Sequence, residues 1–305
     1  MRILITGASG LLGLNLALEA AAQNEVYGTA KDHLISTDAF TVLPSNLLAP
    51  GAVERLLDQS QPDWVIHCAA LANVDACEAD PVLARQLNTE LPAQLAAHVA
   101  RGGARLVHIS TDAVFDGQRG GYNELDEPNP LGVYAQTKLE GERAVAMANP
   151  EAIIARVNLF GWSLSGRRSL AEFFFTNLRA GRSVMGFTDV YFCPLLANDL
   201  AHLLILMLEK NLSGVYHVVS RECLSKYDFG LRVAQRFGLD ASLITPASVE
   251  KGGLKAVRSP NLTLHTDKLA HALGIQTPDV NSGLERFHAQ FQQGYAERIR
   301  RMATS

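Results

Sequence analysis

A tyrosine and a lysine four positions apart, Tyr134 and Lys138, are the residues in this sequence best suited to acid–base chemistry. On a helix, this spacing places both side chains on one face, one turn apart. A phenol with a pKa of about 10 exchanges protons poorly at neutral pH unless a nearby cation stabilises its ionised form. Lys138 would supply that cation, although such a pair also occurs by chance on exposed helices.

The position of the pair relative to Thr111 and Asp112 is what indicates function. A strand predicted at residues 105–110 ends directly before them, and the helix carrying Tyr134 follows. Ligands bind at the carboxyl ends of strands in open α/β sheets, so we expect these side chains to gather there. Thr111 and Tyr134 would then donate hydrogen bonds to a carbonyl oxygen that gains negative charge as a hydride arrives. In the alternative interpretation, Ser110 and Thr111 only cap a turn or a helix.

A glycine-rich segment follows the first apolar strand and opens an apolar helix. Gly7 permits a tight turn, Gly10 lets backbone N–H groups approach a pyrophosphate, and Gly13 lets helix and strand pack closely. The N-terminus of the helix adds unpaired N–H donors for phosphates. The segment therefore predicts a dinucleotide site, with these cofactor-binding residues: Gly7, Ser9, Gly10, Leu11, Leu12 and Gly13.

The end of the second predicted strand bears on the choice of cofactor. It reads Thr29-Ala30-Lys31-Asp32. A carboxylate at this point binds the ribose 2′-hydroxyl of NAD, whereas a cation accommodates the 2′-phosphate of NADP. Ala30 takes the usual acidic position and Lys31 follows, which favours NADP(H), while Asp32 keeps NAD(H) as the alternative.

The elements that must position these residues alternate between strands and helices. We predict strands at 2–6, 25–29, 64–68, 105–110, 152–157 and 214–219, and helices at 11–22, 51–59, 82–101, 133–147 and 198–209. Pro92 should kink or break the third helix. This alternation predicts an α/β fold with a doubly wound parallel (Rossmann) sheet. Residues 1–160 with 191–220 would form the NAD(P)-binding domain, and 161–190 with 221–305 a smaller, discontinuous substrate domain.

Composition restricts the partners. In 305 residues, 27 Lys and Arg face 31 Asp and Glu, so no basic surface for nucleic acid is expected. The apolar runs fall short of the roughly 20 residues that a membrane span requires. Residues 1–5 leave no room for a signal peptide, which predicts a cytoplasmic protein. The four cysteines, Cys68, Cys77, Cys193 and Cys223, lack metal-binding spacing; we expect no metal site and reduced, structural thiols.

Taken together, these motifs resemble the extended short-chain dehydrogenases/reductases. Within that superfamily, the chain is most similar to the dTDP-4-dehydrorhamnose reductases and the related β subunit of methionine adenosyltransferase. The resemblance covers almost the whole chain and is most specific in its first half. The matching segments include the glycine-rich turn, residues 67–75, Asn88, residues 110–117, Tyr122-x-Glu124-x-Asp126, Pro130-Leu131, Tyr134-x-x-x-Lys138 and Gly141-Glu142.

The resemblance implies roles for individual residues. Thr111, Asp112, Tyr134 and Lys138 would be catalytic, with Lys138 also holding the ribose of the cofactor. The other cofactor contacts would be Lys31, Asn46, Leu47, Ala69, Ala70, Leu71 and Asn88. The substrate contacts would be Asp112, Val114, Asn158 and Arg258.

Some positions in this pattern have other interpretations or depart from the family. A turn-forming Asn158 is the alternative for that position, and Arg167-Arg168, like Arg258, offers guanidinium groups to a substrate diphosphate. Three positions depart from the family pattern: Asn46 replaces an aspartate, Leu159 a tryptophan, and Asp189-Val190 an Asp-Gln pair.

The sequence thus predicts an NAD(P)H-dependent reductase of a carbonyl on a small polar substrate, with a 4-keto-deoxy nucleotide-sugar as the leading candidate. The departures put dTDP-4-dehydrorhamnose itself in question as the substrate. Two alternatives stay open. One is a nucleotide-sugar epimerase or dehydratase that retains NAD, and the other is an NADP-binding regulatory subunit without turnover. Homodimerisation is compatible with each.

Overall fold

A seven-stranded parallel sheet lies at the centre of the molecule in a computed structural model that describes residues 1–31, 35–252 and 259–303. The strands are β1 (Arg2–Thr6), β2 (Glu25–Ala30), β3 (Thr41–Pro44), β4 (Trp64–His67), β5 (Arg105–Thr111), β6 (Ile153–Val157), β7 (Leu159–Phe160), β8 (Val184–Phe187), β9 (Tyr191–Phe192), β10 (Leu195–Leu196), β11 (Gly214–Val218), β12 (Leu224–Ser225) and β13 (Ile244–Ala247). The central sheet has the order β11-β6-β5-β4-β1-β2-β3, and the other strands form three two-stranded pairs.

This order is that of a doubly wound Rossmann sheet, as the sequence predicted. All six strand pairs of the sheet are parallel. Both faces are covered, because successive side chains of each strand enter different cores: Ile3 and Ile5 pack on one side of the sheet and Leu4 on the other. The chain reverses its winding between β1 and β4, which is where such sheets form their ligand cleft.

Helices connect the strands on both faces. They are α1 (Leu11–Ala20), α2 (Ala52–Ser60), α3 (Val74–Ala79), α4 (Pro81–Arg85), α5 (Leu91–Gly102), α6 (Gly132–Ala148), α7 (Leu170–Arg179), α8 (Ala197–Glu209), α9 (Lys226–Phe237), α10 (Asp267–Leu273), α11 (Val280–Gln292) and α12 (Tyr295–Arg301). No helix in the described ranges is both long and apolar enough to cross a bilayer.

The helix predicted over 82–101 is present as one helical run from Pro81 to Gly102, which a π-helical turn at Gln86–Glu90 divides into α4 and α5. Pro92 sits in the first turn of α5, where its missing N–H is tolerated. The same missing N–H deprives the Asn88 carbonyl of its helical donor. Helix α6 approaches this turn so closely that a side chain at Gly141 would collide with the Asn88 carbonyl oxygen.

The region after β6 packs onto the sheet through an aromatic cluster. Trp162 stacks on Phe287 of α11, with ring centroids 3.9 Å apart, and its indole N–H donates to the Phe287 carbonyl. Phe160 and Phe175 add edge-to-face contacts. This cluster belongs to the same core as Ile3 of β1, so the C-terminal region packs on the face of the sheet that Ile3 occupies.

Candidate active site

The glycine-rich turn between β1 and α1 forms one wall of a cleft of about 380 Å³, hereafter the cofactor cleft. Gly7 has φ of 68°, and a Cβ there would lie 2.8 Å from the Ala69 backbone nitrogen. A Cβ at Gly13 would collide with the Gly7 carbonyl. Helix α1 starts after Gly10 without a side-chain cap, so its first N–H groups have no side-chain acceptor. The lining from this turn is Gly10, Leu11, Leu12 and Gly13, while Ser9 is half-buried in the turn.

These features fit a dinucleotide. Glycines keep the turn free of side chains, and an uncapped helix N-terminus offers N–H donors to a phosphate. Farther along the sheet, Lys31 follows β2, and Asn46 lies two residues beyond β3. The Ser45 N–H bonds the Ala30 carbonyl, which brings the two strand ends side by side. Asn46 is exposed, and Leu47 packs on the core behind it.

The loop after β4 forms the opposite wall. Ala69 and Ala70 are half-buried, and Ala70 lines the cofactor cleft. Asn88 holds the loop from behind: its amide oxygen accepts from Leu71 N (2.9 Å), and its amide nitrogen donates to Leu71 O (3.1 Å) and to Thr137 (3.2 Å). Asn88 is completely buried. It is therefore placed to act on a cofactor only through the loop that it fixes.

The four predicted catalytic residues lie together at the carboxyl end of β5. Tyr134 and Thr111 share a side-chain hydrogen bond. The Thr111 hydroxyl donates to Asp112 (3.1 Å), whose other carboxylate oxygen accepts from the Asn158 amide (2.6 Å). The Lys138 ammonium donates to the Ile109 carbonyl (2.6 Å). The structure thus brings Asn158 to this cluster as well.

Burial shifts the pKa of each titratable group here. It raises the pKa of Tyr134 to about 12, opposed by the hydrogen bond to Thr111. It raises the pKa of Asp112 to about 6, against the hydrogen bonds from Asn158 and Thr111. It lowers the pKa of Lys138 to about 8, against the nearby Glu142 carboxylate. At neutral pH, Tyr134 is a protonated phenol beside a largely protonated ammonium group.

A buried ion pair supports the cluster from below. Glu142 lies one turn of α6 after Lys138. Its carboxylate accepts hydrogen bonds from Arg156 Nη2 (2.8 Å) and Nε (3.0 and 3.2 Å). The Ser110 hydroxyl donates to the same carboxylate (2.5 Å). Both ion-pair partners are at most 5% exposed. The pair ties β5, β6 and α6 together beside the predicted catalytic residues.

A second pocket, about 220 Å³ and hereafter the substrate pocket, opens on the other side of Tyr134. It shares four residues with the cofactor cleft, namely Thr111, Asp112, Tyr134 and Asn158. Its remaining lining is Val74, Ala113, Leu131, Ala135, Val190, Tyr191, Phe192, Lys226, Ser259 and Leu262. The predicted contact Val114 is completely buried in a separate core cluster, so its neighbour Ala113 lines the pocket instead.

The arginines proposed for the substrate diphosphate are placed differently. Arg168 is exposed and lines the cofactor cleft, while Arg258 lies outside the described residues. Buried Glu172 fixes the loop before α7 by accepting from Ser163 N and Oγ (both 2.7 Å) and Arg168 N (2.9 Å). Two positions that depart from the family pattern also line the site: Leu159 in the cofactor cleft and Val190 in the substrate pocket.

The prediction that all four cysteines are reduced is wrong: Cys193 and Cys223 form a disulfide. Strands β9 and β12 pair antiparallel with Phe192 opposite Leu224, which sets the next residue pair, Cys193 and Cys223, side by side. The bond joins two strands that border the substrate pocket. The two cysteines are 30 positions apart in the sequence, and this spacing alone gave no indication of the pairing.

Two buried histidines lie beneath the cluster. His67 and His108 stack with ring centroids 5.6 Å apart, and His67 bonds the Thr6 hydroxyl (2.7 Å). His67 Nε2 and both His108 nitrogens make no hydrogen bond within the described chain. Burial and the charge of Lys138 lower the pKa of both rings, which are neutral at physiological pH.

A larger depression, about 820 Å³, lies elsewhere, at the amino edge of the sheet near Arg2, Asp63 and Arg105. Strand amino ends do not form the ligand cleft of this fold, and none of the predicted catalytic residues lines this depression. The smaller pair of clefts at the carboxyl edge is the candidate active site.

Comparison with known proteins agrees with this geometry. The profile of the RmlD substrate binding domain family matches residues 1–293. The dTDP-4-dehydrorhamnose reductase of Mycobacterium tuberculosis is 34% identical over 278 residues, covering 89% of this chain and 87% of its own. The methionine adenosyltransferase 2 subunit beta of Danio rerio is 33% identical, covering 92% and 88%. A Haloferax volcanii protein named as a probable low-salt glycan biosynthesis reductase is 32% identical, covering 95% and 98%.

Solved structures show the same fold. A dTDP-4-dehydrorhamnose reductase from Clostridium acetobutylicum superposes with a TM-score of 0.83 at 28% identity, covering 96% of this chain and all of its own. The Bacillus anthracis enzyme of the same name, solved in complex with NADP, gives a TM-score of 0.81 at 25% identity, covering 95% and 99%.

Proposed function

Because the chain belongs to the RmlD substrate binding domain family, we propose that it is an NAD(P)H-dependent oxidoreductase of the short-chain dehydrogenase/reductase type. Its substrate in this proposal is a nucleotide-sugar carrying a carbonyl, with a 4-keto-deoxy sugar as the leading candidate. The relatives named as reductases and the relative solved with NADP support this assignment. The proposal keeps two predictions made from the sequence, a cytoplasmic location and the ability to form a homodimer.

One observation carries the proposal: the cofactor cleft and the substrate pocket meet at Thr111, Asp112, Tyr134 and Asn158. A carbonyl held in the substrate pocket against Tyr134 would present its carbon toward the cofactor cleft. The residues at the junction are those that hydride transfer requires, since they supply a proton and polar contacts to the carbonyl oxygen. Residues 161–190 and 221–305 would cover the substrate.

The chain's own residues would act on the carbonyl oxygen. When bound, NADPH supplies a hydride to the carbonyl carbon. Tyr134 donates its proton to the oxygen, and the raised pKa keeps the phenol protonated until then. The Thr111 hydroxyl, now directed at Asp112 (3.1 Å), turns to donate to the same oxygen. Lys138 holds the ribose and stabilises the phenolate that remains.

We propose NADP(H) as the preferred cofactor and NAD(H) as the alternative. Lys31 and Asn46 lie at the adjacent ends of β2 and β3, where the adenosine half would sit. A cation there favours a 2′-phosphate, and the Asn46 amide can hydrogen-bond an adenine.

The test is oxidation of NADPH, with NADH in parallel, against a panel of 4-keto nucleotide-sugars. Tyr134→Phe should lower kcat by about 10²–10⁴-fold and leave NADPH affinity nearly unchanged. Tyr27→Phe is the matched control, because its hydroxyl bonds Glu25 on β2, away from both clefts. Full activity of Tyr134→Phe would refute the catalytic assignment.

Similarity to the methionine adenosyltransferase β subunits favours one second candidate, a subunit that binds NADP without turnover. Tight NADP binding, no oxidation with any carbonyl, and copurification with a synthetase would favour it. Bound NAD that does not exchange with added NADPH would instead indicate an epimerase or dehydratase.

A further inference from the structure

Lys226, the first residue of α9, is the only positively charged residue among the described residues that line the substrate pocket. The only negatively charged residue in that lining is Asp112. The rest of the wall combines apolar side chains with hydroxyl and amide groups. Lys226 is half-buried. A positive charge in such a wall attracts anions more strongly than one in bulk water.

The backbone at Lys226 is held firmly. Its N–H donates to the Val190 carbonyl (2.9 Å), and the preceding Ser225 caps α9 by accepting from Asp228 N (3.0 Å). The adjacent β9–β12 pair is crosslinked by the Cys193–Cys223 disulfide. The start of α9 is thereby fixed against the strand that carries Tyr191 and Phe192 of the pocket.

The positive charge of Lys226 acts toward the reacting end of the pocket. It lowers the pKa of Asp112, in opposition to burial, which places the two groups within electrostatic range. The Asp112 carboxylate already accepts from Asn158 (2.6 Å) and Thr111 (3.1 Å). An anionic group that enters the pocket would find in Lys226 a cation positioned beside the catalytic cluster.

We propose that Lys226 binds an anionic oxygen group of the substrate, either a phosphate of its diphosphate or a carboxylate on its sugar. The inference rests on the proposed function and adds a residue that selects substrates by charge. Arg168 does not fill this role in the structure, because it lines the cofactor cleft.

The experiment measures binding to the intact protein saturated with NADP⁺ by calorimetry. One arm compares dTDP with thymidine, and UDP with uridine, to test for a phosphate. The other arm compares UDP-glucuronic acid with UDP-glucose to test for a carboxylate. The variants are Lys226→Met and Lys226→Arg, with Lys210→Met at the exposed end of α8 as the control.

In one of the two comparisons, Lys226→Met should weaken binding of the charged ligand by about ten- to a hundredfold, as expected for loss of a charge-assisted hydrogen bond. The uncharged member should change little, so the preference for charge collapses. Lys226→Arg should retain most of the preference, and Lys210→Met all of it. A residue that only braced the fold would affect both members of a comparison equally.

The inference alone is overturned if Lys226→Met keeps both charge preferences while the wild-type protein oxidises NADPH with a 4-keto nucleotide-sugar. An equal loss for charged and uncharged ligands would overturn it too. If the wild-type protein binds none of the nucleotides or nucleotide-sugars, the inference and the proposed substrate class both fail.

Discussion

Replacing Arg156 by leucine would leave the buried Glu142 carboxylate without its cation. In the folded protein, Glu142 accepts from Arg156 Nε and Nη2 at 2.8–3.2 Å, with both side chains at most 5% exposed. Each of the two charge-assisted hydrogen-bond donors contributes about 1.5–3 kcal/mol. Their sum agrees with the cost of about 3–5 kcal/mol for breaking a buried ion pair. We therefore expect Arg156→Leu to lower the free energy of unfolding by about 4 kcal/mol.

Urea unfolding followed by the fluorescence of Trp64 and Trp162 measures this loss. The matched control is Arg143→Leu. Arg143 lies on α6 next to Glu142 and forms an exposed ion pair with Glu127, so its loss should change stability little. The double variant Arg156→Leu/Glu142→Leu should be more stable than Arg156→Leu alone, because no unpaired carboxylate remains. If Arg156→Leu costs no more than Arg143→Leu, the ion pair does not support the site as described.

Three further predictions concern the cofactor turn, a buried acid and the crosslink. Gly13→Ala should abolish NADPH binding measured by fluorescence, because its methyl group would collide with the Gly7 carbonyl; normal affinity would contradict this close packing. The raised pKa of Asp112, about 6 against 3.8 unfolded, contributes stability at low pH that is lost as pH rises from about 4 to 6. This shift of about two units corresponds to about 3 kcal/mol, so Asp112→Asn should flatten the pH dependence of unfolding over that window, and an unchanged profile would argue against it. Thiol titration of the unfolded protein should find two free thiols, and the Cys193→Ser/Cys223→Ser variant should lose about 3–4 kcal/mol for a 30-residue loop; four free thiols would exclude the bond.

The central sheet, the glycine-rich turn and the cluster of Thr111 with Tyr134 could be predicted from local patterns. Apolar strands next to glycine turns determine a parallel sheet, and the strand-end rule places Thr111 beside the helix that carries Tyr134. Strand β3 was missed because Thr41–Pro44 is short and only half-buried at the edge of the sheet. The π-helical turn was missed because it depends on how α6 packs at Gly141 as well as on Pro92.

The substrate side depends on contacts distant in sequence. Lys226 reaches the pocket because β12 pairs with β9, and the two strands are more than 30 residues apart. The segment Ser225-Lys226-Tyr227-Asp228 does indicate the start of a helix, but no local pattern indicates what that helix start faces. The disulfide could not be predicted for the same reason, because it depends on the pairing of β9 with β12. Asn158 was identified only through the resemblance to the family.

The four residues common to both clefts would couple binding at the two sites if a cofactor and a substrate occupy them as proposed. A substrate that orders Tyr134 and Asn158 also orders part of the wall that the cofactor contacts. By thermodynamic linkage, whatever factor the cofactor adds to the affinity for substrate, the substrate adds to the affinity for cofactor. In the proposed function, the shared wall would therefore make the affinity for the nucleotide depend on whether the sugar is bound.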